Sequence, residues 1–268
     1  MSKAWAMCVV LAVLLVSRSA GAFELKHAAN GQTAHWGGPT MTFVVDPSIE
    51  AAVPGGAAAV EEALMAWSGL SGAPQLVWTT GPGGGKAAVD GVNTVLFAPD
   101  GFGPAGAALA VTVLTFDEDT GEILDADIVV NGVYAFAVLA ADARSTGETA
   151  ISMEGATTLA ATAGTFDLFH VVAHETGHSL GLGDVASGDA VMYAYTTPGD
   201  AAYRAPVGDD EAGLEAIYGA PRTGCSSASV AGAPAAPGAS AWVAVLLLLG
   251  AWSAWVARSS GGRLVRRS

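Results

Sequence analysis

The chain is poor in cysteine and in positive charge. Two cysteines in 268 residues exclude a disulfide framework and any cysteine-rich zinc module. Eleven Lys and Arg against 25 Asp and Glu leave a net charge of −14. That deficit excludes a nucleic-acid binder, which needs a basic patch to displace counterions from phosphates. Only 13% of residues are charged, whereas 51% are hydrophobic. Such apolar content excludes a disordered acidic chain and supports a sizeable core. No internal repeat is present.

The few basic residues are segregated. All 25 acidic residues lie between Glu24 and Glu215, and within 23–221 only Lys26, Lys86, Arg144 and Arg204 oppose them, a net of −21. The remaining basic residues sit at the ends, which suggests an acidic body between two membrane-related termini. Residues 1–22 read as a signal peptide: Lys3, an apolar run from Ala4 to Val16, then Ala20-Gly21-Ala22 as a cleavage site. A membrane anchor is the alternative, although the run is short for a span. At the other end, 222–240 reads as a linker and 241–257 is an uncharged run at the lower length limit for a transmembrane helix. Trp242 and Trp255 flank that run, and four arginines follow in 258–268. By the positive-inside rule this tail is cytoplasmic and the body is exported, at the cell surface or extracellular. A buried core helix is the other reading.

Within the body, strand-like runs cover Met41–Asp46, Gln75–Thr80, Val92–Ala98, Ala107–Phe116 and Glu122–Asn131. Helical patterns cover Gly56–Leu70, Thr165–Leu180 and Asp209–Tyr218. The order gives an α+β or mixed α/β domain of about 200 residues. Residues 132–164, rich in Ala, Thr and Gly, carry no assignable pattern.

The chemistry concentrates in His174-Glu175-Thr176-Gly177-His178. On a helix the two histidines lie one turn apart on one face, a spacing at which two imidazoles bind one Zn²⁺ at ~2.0–2.1 Å per nitrogen. Glu175, one residue round, can reach a metal-bound water without ligating, and a carboxylate there can take its proton. Gly181 follows three residues after His178, and Asp184 three after that. A glycine at that point can adopt a left-handed conformation and turn the chain so that a later side chain returns to the metal. Met192 follows in a short segment. His170 is one turn before His174 and reads either as a packing residue or as part of a subsite. His27 and His35 receive no role.

Residues 174–184, HETGHSLGLGD, with Met192 after them, resemble the metzincin metallopeptidases, and the matrixin-like bacterial branch most closely. That family's pattern is H-E-x-x-H-x-x-G-x-x-H/D followed by a methionine turn. The segment Asp209–Gly219 (DDEAGLEAIYG) is similar to the helix that closes matrixin catalytic domains. The resemblance spans roughly Thr40 to Gly219. It implies a matrixin-like domain over 23–221: a twisted mixed five-stranded sheet with an active-site helix, a backing helix and a C-terminal helix. It also implies a zinc endopeptidase with His174, His178 and Asp184 on the metal, Glu175 as catalytic base, Met192 beneath the site, and a protein or peptide substrate added along the edge strand Ala107–Phe116. Aspartate as third ligand resembles the snapalysin group. The order Cys225, linker, apolar run, arginines resembles bacterial sorting signals of the MYXO-CTERM type, which implies a processed anchor near Cys225; a plain transmembrane anchor is equally open.

The chain also departs from the family. About 18 residues without a cysteine separate Phe23 from the first strand, so no thiol switch is expected. Histidines for a second, structural zinc are missing. The position two residues after Met192, a tyrosine in astacin-like relatives, is Ala194, so no oxyanion role is carried to it. Asp117, Asp119, Asp125 and Asp127 invite a structural Ca²⁺, against a plain solvated hairpin. A non-catalytic metzincin-like surface binding module is the competing function; the intact Glu175 argues against it. Oligomeric state is not legible.

Overall fold

In the computed structural model, the structure describes residues 23–143, 151–153, 164–186 and 188–219. The proposed signal peptide, linker, apolar C-terminal run and basic tail lie outside these residues. Among the described residues no helix is long and apolar enough to cross a membrane.

In chain order the elements are β1 (Glu24–Leu25), β2 (His35–Trp36), β3 (Thr40–Val45), α1 (Pro47–Ala52), α2 (Gly56–Trp67), β4 (Gln75–Thr80), β5 (Asn93–Ala98), β6 (Ala110–Phe116) and β7 (Glu122–Asn131). Then come β8 (Ala135–Ala137), β9 (Ile151–Ser152), β10 (Thr165–Asp167), α3 (Leu168–Ser179), β11 (Leu182–Gly183), β12 (Tyr195–Thr196) and α4 (Gly208–Tyr218).

The five expected strands form one mixed sheet in the order β7-β5-β3-β4, with β6 on the other side of β7. The two-residue β2 joins β7 as a sixth strand. The pairs β3–β4, β3–β5 and β5–β7 are parallel and β6–β7 is antiparallel. A parallel pair needs a crossover, and α1 and α2 supply it between β3 and β4. Asp46 begins this crossover: its carboxylate accepts from Ser48 N at 2.9 Å, with Pro47 at the first helical position. The sequence reading ends a strand at Pro47 and misses α1.

β3 alternates, burying Met41, Phe43 and Val45 completely. That face meets Val60, Leu64 and Trp67 of α2 and Val172 and Ala173 of α3 in one core. The Trp67 indole N–H donates to Ala173 O at 2.7 Å and so fixes α2 against α3.

The helix that carries His174 and His178 begins later than its periodicity suggests. Residues 165–167 are extended and pair in parallel with β8. Asp167 then caps α3, accepting from His170 N at 3.1 Å.

The acidic pair on β7 is consumed internally. Asp127 accepts from Ala88 N at 2.9 Å and Thr94 N at 2.8 Å, and Asp125 accepts from Gly91 N at 2.7 Å. Asp117 binds its own turn through the amides of Asp119 and Thr120. These carboxylates organise loops through backbone amides, and the calcium expectation gains no support.

Candidate active site

Every residue of α3 is buried. A helix buried on all sides is ordinarily apolar, yet His170, His174, Glu175, Thr176, His178 and Ser179 are all below 2% exposed. Polar groups placed there must be satisfied or functional. Two of them are satisfied within the helix: Thr176 Oγ1 donates to Val172 O at 2.7 Å and Ser179 Oγ donates to Thr176 O at 2.6 Å.

The histidines are oriented from behind. His174 Nδ1 lies 2.9 Å from Val191 O, and His178 Nδ1 lies 2.8 Å from Leu182 O. A carbonyl only accepts, so each Nδ1 carries the proton and each Nε2 points forward. The two Nε2 atoms then meet at 3.0 Å, with the rings nearly perpendicular. Asp184 Oδ1 lies 3.2 Å from His174 Nε2 and 3.7 Å from His178 Nε2. Among the described residues, these three are the group of His, Cys, Asp or Glu side chains whose ligand atoms converge within metal-binding reach. Asp189, five residues beyond Asp184, is exposed and outside this trio.

Electrostatics reinforce the arrangement. Burial, aided by the charges of Lys26 and His174, holds His178 well below the ordinary imidazole value. Burial opposes charge on His174 as well, but its hydrogen bond to Asp184 and the charges of Glu175 and Asp184 raise its pKa overall. The two rings are thus driven in opposite directions, His174 toward the charged form by its carboxylates and His178 away from it by burial. A borderline-soft cation such as Zn²⁺, accepting two nitrogens and one oxygen, fits the donor set fully.

Local backbone explains the convergence. Gly181 has φ +95°, and a Cβ there would collide with the Ala34 carbonyl. This turn sends the chain through β11, which β1 pairs antiparallel, with Lys26 N donating to Gly181 O at 2.8 Å. Asp184 follows immediately. Beneath the rings, Gly177 leaves room for Met192: a Cβ at Gly177 would strike Met192 Sδ and crowd Trp67. Met192 is buried against this face of the helix, at the position where the resemblance expects a methionine turn. Its backbone is held by Asp210 of α4, which accepts from Val191 N at 3.0 Å, Met192 N at 3.1 Å and Val207 N at 3.0 Å. Asp210 thus reaches His174 through the Val191 peptide. The aspartate pair opening α4 was visible in the sequence; what Asp210 holds was not.

Glu175 is fully buried beside the trio. Thr112 of β6 donates to it, with Oγ1 2.7 Å from Glu175 Oε2 and 2.9 Å from Glu175 O. Nothing in the sequence marked Thr112, 63 residues away. His170 lies outside the trio. Its ring packs on Tyr203 with centroids 5.7 Å apart, and its Nδ1 lies 3.3 Å from Thr196 Oγ1. Burial, together with the charges of His174 and Arg204, pushes its pKa down to about 3, so it stays neutral.

No curated protein matches the chain. The sequence profile of the matrixins matches residues 78–219, just over half of the chain, and spans α3, Asp184, Met192 and α4. With its mixed sheet and its His-His-Asp cluster, this chain belongs to the matrixin family, a family of zinc metallopeptidases.

Proposed function

We propose that this protein is an exported zinc endopeptidase in which His174, His178 and Asp184 hold the metal and Glu175 is the catalytic base. One observation carries the reading: two forward-facing Nε2 atoms 3.0 Å apart, a carboxylate oxygen beside them, and a second carboxylate buried next to the trio. Bound zinc supplies Lewis acidity, lowering the pKa of a water and polarising a carbonyl oxygen. Glu175 takes the proton of the attacking water and delivers it to the leaving amine nitrogen. The Val191 and Leu182 carbonyls keep both imidazoles in the tautomer that ligates. Aspartate as third ligand resembles the snapalysin-like members and would give the metal a more negative surrounding than three imidazoles. Edge strand β6 offers the main-chain groups along which a peptide extends the sheet.

Export, with a cell-surface or extracellular site of action, is supported by the character of 1–22 and of 241–268 in the sequence. The test is hydrolysis of casein or gelatin by the full chain, abolished by a chelator and restored by Zn²⁺. Glu175→Gln keeps zinc and loses nearly all turnover. Full activity in that variant removes Glu175 from its role. A zinc-loaded wild-type chain that cleaves no protein substrate favours the binding-module alternative.

A further inference from the structure

The hydroxyl of Thr112 has one proton and two acceptors in reach, Glu175 Oε2 at 2.7 Å and Glu175 O at 2.9 Å. The carboxylate contact is shorter and charge-assisted, so it holds the proton. Thr112 is itself 7% exposed and Glu175 fully buried, so water does not substitute easily for this bond. A glutamate's terminal torsion is broad and roughly two-fold, and burial alone does not choose its plane.

We propose that Thr112 is the positioning residue of the catalytic glutamate: it pins Oε2, sets the plane of the carboxylate and turns Oε1 to the proton-transfer task. This inference rests on the reading of Glu175 as base.

The placement has a mechanical side. Thr112 lies in mid-β6 opposite Ile128 of β7, well away from the irregularity between Thr115 and Phe116. Its backbone is therefore held by regular antiparallel pairing, and its hydroxyl fastens the edge strand to the turn of α3 that carries Glu175. If a peptide extends the sheet along β6, substrate and base are registered by one strand. A serine preserves the donor and loses only a methyl group. Valine preserves the β-branched shape that suits a strand and removes the donor.

The experiment compares Thr112→Val and Thr112→Ser with wild type in zinc-loaded full-length protein. Valine is expected to lower kcat by roughly 10- to 100-fold, the scale at which a small misplacement of a reacting group is felt, with KM and zinc affinity unchanged. Serine is expected to stay near wild type. A valine variant with wild-type kcat overturns the proposal, as does a serine variant as slow as valine. A second readout needs no turnover: high-resolution crystal structures of the three proteins. Glu175 is expected in one rotamer in wild type and serine and in a rotated or split one in valine; an unchanged carboxylate in the valine variant overturns the proposal. Failure of the endopeptidase reading looks different, since a wild type that cleaves nothing leaves the crystallographic comparison intact.

Discussion

Arg204 grips Asp167 with a two-pronged ion pair, Nε to Oδ2 at 2.7 Å and Nη2 to Oδ1 at 2.6 Å. The same Nη2 donates to Leu139 O at 2.7 Å, and the guanidinium lies over the Phe169 ring. Asp167 has no exposed side-chain surface and also caps α3. Removing the cation strands a buried carboxylate, which costs about 3–5 kcal/mol. Arg204→Met should therefore shift the urea midpoint strongly. Arg204→Lys should recover little, because an ammonium lacks the fork. Arg204→Met combined with Asp167→Asn should recover much of the loss, since asparagine still caps a helix. A single Met variant within about 1 kcal/mol of wild type would place the pair among those with little net value.

Asp127 gives the fold an unusual acid dependence. Burial, offset in part by the Ala88 and Thr94 amides and aided by the charges of Asp125 and Asp90, raises its pKa from 3.8 to about 6. The folded state then holds the proton more tightly than the unfolded one. The contribution is fully present below the unfolded value and is lost as pH rises through about 6. Asp127→Asn cannot titrate. Between pH 7 and pH 5, wild type should therefore gain unfolding free energy relative to this variant, measured by paired urea titrations in which other groups cancel. Parallel curves across that window would refute the assignment.

How much of this was legible follows from distance along the chain. Gln75–Thr80 and Glu122–Asn131 carry their strand signals locally, and both form over those spans. His174 and His178 are set by one helical turn, so their meeting was readable from spacing. Asp184 needed a specific backbone reversal, and Gly181 announced it. By contrast β1 is two residues long and exists because Leu182 and Gly183 pair with it; no local periodicity encodes that. The start of α3 was misplaced because Phe166 continues the apolar pattern, whereas the helix obeys the Asp167 cap. Thr112 was invisible because a threonine in a strand is ordinary until the helix it faces is known. The aspartates of β7 suggested a cation for the same reason: sequence shows the acceptors and hides the amides that fill them.

Gly181 links the site to an amino-terminal hook, residues 26–34, in which His27 and Thr33 form an antiparallel bridge, and Gly181→Ala should damage both. Its φ of +95° is outside the comfortable range of L-residues, and the new methyl would meet the Ala34 carbonyl. Relief requires moving either the 26–34 hook or the turn carrying β11. His178 Nδ1 is fixed by Leu182 O within that turn. The variant should lose about 2 kcal/mol or more of stability from strain alone. Its zinc affinity, measured by competition with a chromophoric chelator, should fall as well. Destabilisation with wild-type zinc affinity would show that the metal loop holds its shape without the hook.

Metal removal should cost more stability than any surface change. Without a cation, two Nε2 atoms 3.0 Å apart and a carboxylate oxygen 3.2 Å from one of them face each other in a buried pocket. A ligand that binds only the folded state adds about 4 kcal/mol when present at a thousand times its dissociation constant. Adding EDTA should therefore lower Tm by several degrees, and Zn²⁺ should restore it. Ca²⁺ or Mg²⁺ should not, because hard cations prefer an all-oxygen shell over two imidazoles. Asp184→Ala, which keeps both rings, should show a smaller chelator shift than wild type. An equal shift in that variant would mean that Asp184 adds nothing to the hold on the metal. Rescue of wild type by Ca²⁺ alone would place the stabilising cation at a different site.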